Sequence, residues 1–166
     1  MISVDYDNFK SVVLGGDFPW FWQRAYNEWE VTEDTQNFDF LSHVLLQRPG
    51  HTKLHSVENS QYLPAAEKIF SQFCDIYDLK PKVLYRANLN MTIPTGDTRP
   101  SPMHTDHDFP HKNLILYLTD CQGGATVVEG KDPFYGEEDS FFLFEGRHQH
   151  YLPTSGRRVV LVYTFI

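Results

Sequence analysis

The chain has 166 residues, 41% of them hydrophobic, 15% aromatic and 22% charged, with a formal net charge of −8. That length fits one domain with a sizeable core and excludes two independent ones. The acidic balance and the lack of any basic run argue against a nucleic-acid partner, whose backbone is gripped by clustered cations, and no window is apolar enough to suggest a membrane span.

Cys74 and Cys121 stand in unrelated contexts without metal or redox spacing, which reads as reduced thiols in a cytoplasmic protein. The opening Met1-Ile2-Ser3-Val4-Asp5 has neither the basic region nor the apolar run of a signal peptide. The aromatic content suggests an all-β or α+β core, or a pocket lined by rings.

Residues 1–14 read as a short strand and then a helix start, capped by Asp7 or Asn8 with Phe9, Val12 and Val13 as its apolar stripe, and stopped by Gly15-Gly16-Asp17. Phe18-Pro19-Trp20-Phe21-Trp22 packs four aromatics into five positions with no periodicity, as a core plug or lid or as a substrate-stacking platform. Trp29 to Glu33 reads as a strand, Phe38 to Gln47 as strand or short helix, and Arg48-Pro49-Gly50-His51 as a turn before a surface loop that runs to Gln61. Ser60 to Leu79 is the clearest helix: Leu63, Ala66, Ile69, Phe70, Phe73, Cys74 and Tyr77 recur at three- and four-residue steps, with Pro64 in the first turn. The period then changes to two. Val83, Tyr85, Ala87 and Leu89 share one face of a strand, while Leu84, Arg86, Asn88 and Asn90 share the other, a polar face that borders either a wet cavity or solvent.

From 102 onward the pattern gives short strands at 102–106, 113–119, 124–129, 140–144, 148–152 and 157–165, separated by Gly, Pro and Asp clusters. Strands at this spacing belong to a sandwich or jelly roll, and no nucleotide-binding glycine motif occurs. If 102–108 is extended, His104 and Asp106 leave the strand on the same side. An imidazole and a carboxylate so placed make two thirds of a facial triad, which holds Fe(II) and leaves open positions opposite. The third ligand must come from far along the chain, from His148 or His150. An H-x-D pattern by itself is common. Its weight lies in the order that follows: an apolar run, Gly123-Gly124, a second apolar run at Ser140 to Phe144, a histidine, and Gly156-x-Arg158 opening the last strand.

His104-x-Asp106, Tyr117-Leu118-Thr119-Asp120, Gly123-Gly124-x-Thr126, Phe144-Glu145-Gly146 and Pro153-Thr154-Ser155-Gly156-x-Arg158, taken together, resemble the non-haem Fe(II)- and 2-oxoglutarate-dependent dioxygenases. Within that superfamily they resemble the small prolyl-hydroxylase-like members, some encoded by bacteriophages, and the resemblance covers roughly residues 83–166. It implies one domain over 1–166, mainly β with N-terminal helices (α+β): a double-stranded β-helix, or cupin-like jelly roll, over about 81–166 on a helical support over about 1–80. It implies that His104 and Asp106 bind Fe(II), that Arg158 grips the distal carboxylate of 2-oxoglutarate, and that Tyr117 reaches the same carboxylate or is a core tyrosine. A guanidinium suits that task because it pairs with a carboxylate through two parallel hydrogen bonds and stays charged when buried. For the third metal ligand, the spacing from Phe144 selects His150, while the spacing back from Pro153-Thr154 or Arg158 favours His148; His150 is preferred, with His148 the alternative. Asn88 and Asn90 are expected to point toward the co-substrate or substrate, and His107 with Asp108 to shape the rim.

The implied activity uses O2 and 2-oxoglutarate to hydroxylate a peptidyl side chain such as proline, or a small molecule, with release of succinate and CO2. Two readings compete with it. One is a cupin-like metal protein with non-oxidative chemistry, which has no need of Arg158; the other is a non-catalytic interaction module on the same fold.

Overall fold

The structure is a computed structural model that describes residues 4–25, 30–49 and 55–166. In chain order its elements are α1 (Val4–Leu14), β1 (Phe21–Arg24), β2 (Asp39–Gln47), β3 (Val57–Glu58), α2 (Leu63–Ile76), β4 (Leu84–Thr92), β5 (Lys112–Tyr117), β6 (Cys121–Gly123), β7 (Thr126–Val128), β8 (Phe141–Phe144), β9 (His148–His150), β10 (Pro153–Gly156) and β11 (Arg158–Phe165).

A seven-stranded antiparallel sheet runs β1-β2-β4-β11-β5-β8, with β3 paired to β2. Facing it are two short pairs, β6 with β10 and β7 with β9, extended by single bridges from His104 to His148 and from Thr126 to Phe134. The result is the expected jelly roll. The first 60 residues supply strands as well as a helix, since β1, β2 and β3 extend the large sheet.

The sheet works because its central strand is covered on both faces. All eight residues of β11 are buried, the near-continuous apolar run of a strand with no solvent side. Val159, Leu161, Tyr163 and Phe165 point to the helical layer, where they meet Ile69, Phe70 and Phe73 of α2 and Tyr6, Phe9 and Val13 of α1. Tyr163 donates a 2.7 Å hydrogen bond to the Ala66 carbonyl, which fixes α2 on the sheet. The helix ends where Asp78 takes φ 49°, with the Leu79 amide closing on the Cys74 carbonyl at 2.9 Å. The other face of β11 carries Arg158, Val160, Val162 and Thr164 inward. There Val160 and Val162 pack with Ile115, Tyr117, Val128 and Phe144 in a second, smaller cluster.

Several sequence expectations are corrected. Segment 102–106 is no strand: His104 alone bridges to β9, and the chain bends at Asp106. The 148–152 strand stops at His150, and a separate strand forms at Pro153–Gly156, where none was expected. Phe38 to Gln47 is strand, residues 30–33 form none, and the loop before Gln61 contains β3. Residues 1–3 and 26–29 and Gly50-His51, on which other expectations fall, lie outside the described residues. The aromatic cluster divides: Phe18 is buried against Trp20, His43 and Tyr62, whereas Phe21 and Trp22 on edge strand β1 are exposed. No helix among the described residues is long and apolar enough to cross a membrane.

Candidate active site

Strand β4 places its apolar residues Ala87, Leu89 and Met91 in the helical core, and this turns the opposite row inward. Arg86, Asn90 and Thr92 from that row line a cavity of about 290 Å³ between the large sheet and the short strands. The polar face of β4 therefore borders a cavity, the first of the two readings left open by its alternation. Asn88 belongs to the same row but spends its amide on Ser42, at 3.1 Å, and on Asn90, and does not line the cavity.

Three histidines converge on the cavity. The backbones of His104 and His148 exchange hydrogen bonds of 2.9 Å in both directions, bringing their ring centroids to 4.4 Å. His150, two residues along β9, leaves on the same side, and one nitrogen from each of the three rings lies within 4.8 Å of the others. Nδ1 of His104 faces the Pro102 carbonyl at 3.0 Å and Nδ1 of His148 faces the Gly146 carbonyl at 3.3 Å. A carbonyl only accepts, so both Nδ1 atoms carry the proton and both Nε2 atoms present a lone pair. Nδ1 of His150 instead meets the Thr126 hydroxyl at 3.1 Å.

Asp106 stands beside His148, its Oδ2 at 3.7 Å from His148 Nε2, but it is outside the group of donors within 4.8 Å of one another, which among the described residues is the three histidines. Its other oxygen accepts from Arg86 Nη1 at 3.0 Å, and its backbone carbonyl accepts from Arg48 Nη1 at 2.7 Å. Burial pushes the Asp106 carboxyl up, but the charge of Arg86 and the neighbouring imidazoles outweigh it and hold the group below the usual carboxylate range. Burial moves His148 the other way, down to about 4, and takes His150 well below the ordinary histidine value. At neutral pH the site thus offers the neutral imidazoles of His148 and His150 and an ionised Asp106, the protonation states that a divalent metal needs.

Arg158 lines the same cavity and is 5% exposed. Its Nη2 donates to Thr126 Oγ1 at 3.1 Å, its guanidinium lies 5.2 Å from the Tyr117 ring centroid, and its Nε has no partner among the described residues. No carboxylate among the described residues pairs with it. The cross-strand neighbour of Arg158 is Thr92, whose buried hydroxyl is likewise unpartnered among the described residues. Tyr117 is fully buried outside the cavity lining, with its hydroxyl 3.3 Å from Thr126. His107 stacks on Phe109 and meets His111 edge-on, and neither histidine lines the cavity.

Sequence reasoning gave Thr126 no role, although it is the hub that joins Arg158, Tyr117 and His150. The contact of Arg86 with Asp106 was missed too. The inward polar row of β4 signalled Arg86; nothing local signals the Thr126 hub, which exists only once β7 and β9 pair.

No protein-family model matches the chain, and no curated protein matches it. Solved structures do. A 2OG-Fe(II) oxygenase family oxidoreductase from Burkholderia pseudomallei superposes with a TM-score of 0.66 at 16% identity, over 96% of this chain and 76% of that one. This chain has the 2OG-Fe(II) oxygenase fold. A Trichoplax adhaerens prolyl hydroxylase, in complex with a hypoxia inducible factor peptide fragment, gives 0.55 at 11% identity over 87% and 70% of the two chains. A viral collagen prolyl hydroxylase from Paramecium Bursaria Chlorella virus-1, in its 2OG complex, gives 0.50 at 13% identity over 75% and 78%. At such identities the oxygenase likeness is one of fold, and the reading of the chemistry rests on the side chains themselves.

Proposed function

We propose that this chain is an Fe(II)- and 2-oxoglutarate-dependent dioxygenase that hydroxylates a peptidyl side chain or a small molecule, with release of succinate and CO2. The observation that carries the reading is Arg158, a buried guanidinium paired with no carboxylate among the described residues, lining a cavity that also gathers three imidazoles and Asp106. A buried charge is costly unless paired, so a cavity that keeps one unpaired is built for an anion that arrives. A dicarboxylate that is also a metal chelator fits both features. A cupin with non-oxidative chemistry has no use for that cation.

His104, Asp106 and His148 would hold the iron. Their chemistry suits the ion, with two imidazoles whose Nδ1 protons are tied to carbonyls and a carboxylate kept ionised by Arg86, while among the described residues the donor atoms within 4.8 Å of one another are those of His104, His148 and His150. His148 here takes the place first given to His150. Bound iron would supply the oxidising chemistry, in which decarboxylation of 2-oxoglutarate is coupled to insertion of an oxygen atom into a substrate C–H bond. The protein's share is positional. Arg158 binds and orients the distal carboxylate, and Ile115, Phe144, Val160 and Val162 wall the cavity against water. Phe38, Phe40, Arg48 and Tyr151 line the same cavity and are the side chains available to a substrate. The prolyl hydroxylases among the structural neighbours, one holding a peptide, support a peptidyl substrate.

The test is anaerobic reconstitution with Fe(II) followed by O2-dependent conversion of 2-oxoglutarate to succinate. Turnover is expected for the parent protein and lost in His104→Ala and His148→Ala, while Arg158→Ala raises the 2-oxoglutarate concentration required. Parent protein that binds neither iron nor 2-oxoglutarate would leave the fold as a non-catalytic module.

A further inference from the structure

We infer that His150 is not a metal ligand but a hydrogen-bond donor, through Nε2–H, to a carboxylate oxygen of the bound co-substrate. The inference rests on the dioxygenase reading above for the identity of that co-substrate. Its own support is an account of protons around Thr126.

Tyr117 is completely buried, and among the described residues the only hydrogen-bond partner of its hydroxyl is Thr126 Oγ1. Its proton must go there, because the opposite arrangement would strand a phenolic O–H in an apolar enclosure. The Arg158 guanidinium has protons to give and no lone pair to offer, so Nη2 also donates to Thr126 Oγ1. Both acceptor positions of that oxygen are then taken. The remaining atom of the hydroxyl, its hydrogen, is the one that meets His150 Nδ1 at 3.1 Å. Nδ1 is therefore an acceptor, and in a neutral imidazole the proton sits on Nε2.

That is the opposite tautomer from His104 and His148, whose Nδ1 atoms face the Pro102 and Gly146 carbonyls. Two of the three rings are set up to ligate and the third to donate. His150 is partly exposed, lines the cavity, and its Nε2 has no partner among the described residues. One ring nitrogen of His150 lies within 4.8 Å of one from each of the two ligating rings, and its Nδ1 is one hydroxyl away from Arg158. A dicarboxylate that reaches from the metal to the guanidinium passes this N–H.

Two measurements test the inference. In 15N-labelled metal-free and Zn(II)-loaded protein, long-range 1H–15N spectra should show the His150 ring protonated at Nε2 and bare at Nδ1, the resonance being assigned by its loss in His150→Gln. In calorimetric titrations, His150→Leu should bind Zn(II) within about threefold of the parent protein, yet bind 2-oxoglutarate roughly tenfold or more weakly, the worth of one hydrogen bond to a charged group. His150→Gln, which keeps an N–H donor, should recover most of that loss. A proton on Nδ1, a loss of Zn(II) in His150→Leu as large as in His148→Ala, or unchanged 2-oxoglutarate affinity in His150→Leu would each overturn it. If the metal-loaded parent protein itself binds no 2-oxoglutarate, the dioxygenase reading fails first, and that result shows in every variant alike.

Discussion

The pair Arg86 and Asp106 sets two opposite charges against each other in the wall of the cavity. The carboxylate is 13% exposed and the guanidinium 22%, so neither charge is well hydrated, and the carboxylate depends on the guanidinium. Removing one partner of a fully buried pair costs roughly 3–5 kcal/mol, and the partial exposure here brings the expected loss for Arg86→Gln to about 2 kcal/mol. In a chain of this size that lowers the melting temperature of the metal-free protein by roughly 4–8 °C. A divalent cation would then replace the missing charge, so the rise in melting temperature on adding Mn(II) should be larger in Arg86→Gln than in the parent. An arginine that served packing alone would lower both melting curves equally, and scanning fluorimetry with and without the metal separates the two cases.

At the level of elements, the Arg158 end is held by a loop that must pass very close. Gly136, two residues beyond the bridge from Phe134 to Thr126, runs against Tyr117 so tightly that a methyl group there would sit 2.3 Å from the ring. Gly136→Ala must push Tyr117 off the Arg158 guanidinium and off Thr126. It should cost about 1–3 kcal/mol in denaturant unfolding and raise the KM for 2-oxoglutarate, whereas Gly16→Ala, with nothing within 4 Å, should be neutral in both. Such contacts mark the boundary of what the sequence reveals. Strand β11 could be read from its unbroken apolar run and α2 from its three- and four-residue steps, because each pattern is local. The course of residues 102–106 could not, since His104 is held by β9 and not by a strand of its own. The choice between His148 and His150 was equally closed to local reasoning. Both do face the cavity, as alternation requires, and they differ in the partner of Nδ1, a nearby carbonyl for His148 and a hydroxyl from β7 for His150.

For the whole molecule, the burial that keeps the cavity imidazoles neutral makes the protein sensitive to acid. In the unfolded chain a histidine takes up its proton near pH 6.5. In the folded chain burial holds His148 neutral down to about 4, holds His150 neutral well below its ordinary value, and lowers His107 as well. Between these limits the unfolded state binds more protons than the folded one, so stability is fully present above about pH 6.5 and is lost as the pH falls toward 4. His148 alone accounts for roughly 3 kcal/mol across that window, because each pH unit over which only the unfolded imidazole is protonated is worth about 1.4 kcal/mol. Asp106, held ionised by Arg86, adds a further loss only at lower pH, where the unfolded carboxylate protonates. Denaturant unfolding of the metal-free protein at a series of pH values should therefore show free energy falling from about pH 6.5 to about pH 4.5, with a slope of roughly one to three protons. The double variant His148→Gln/His150→Gln should be less steep by up to about two protons whatever its absolute stability. A flat profile over that range would mean that the imidazoles are hydrated in solution and not enclosed between the sheets.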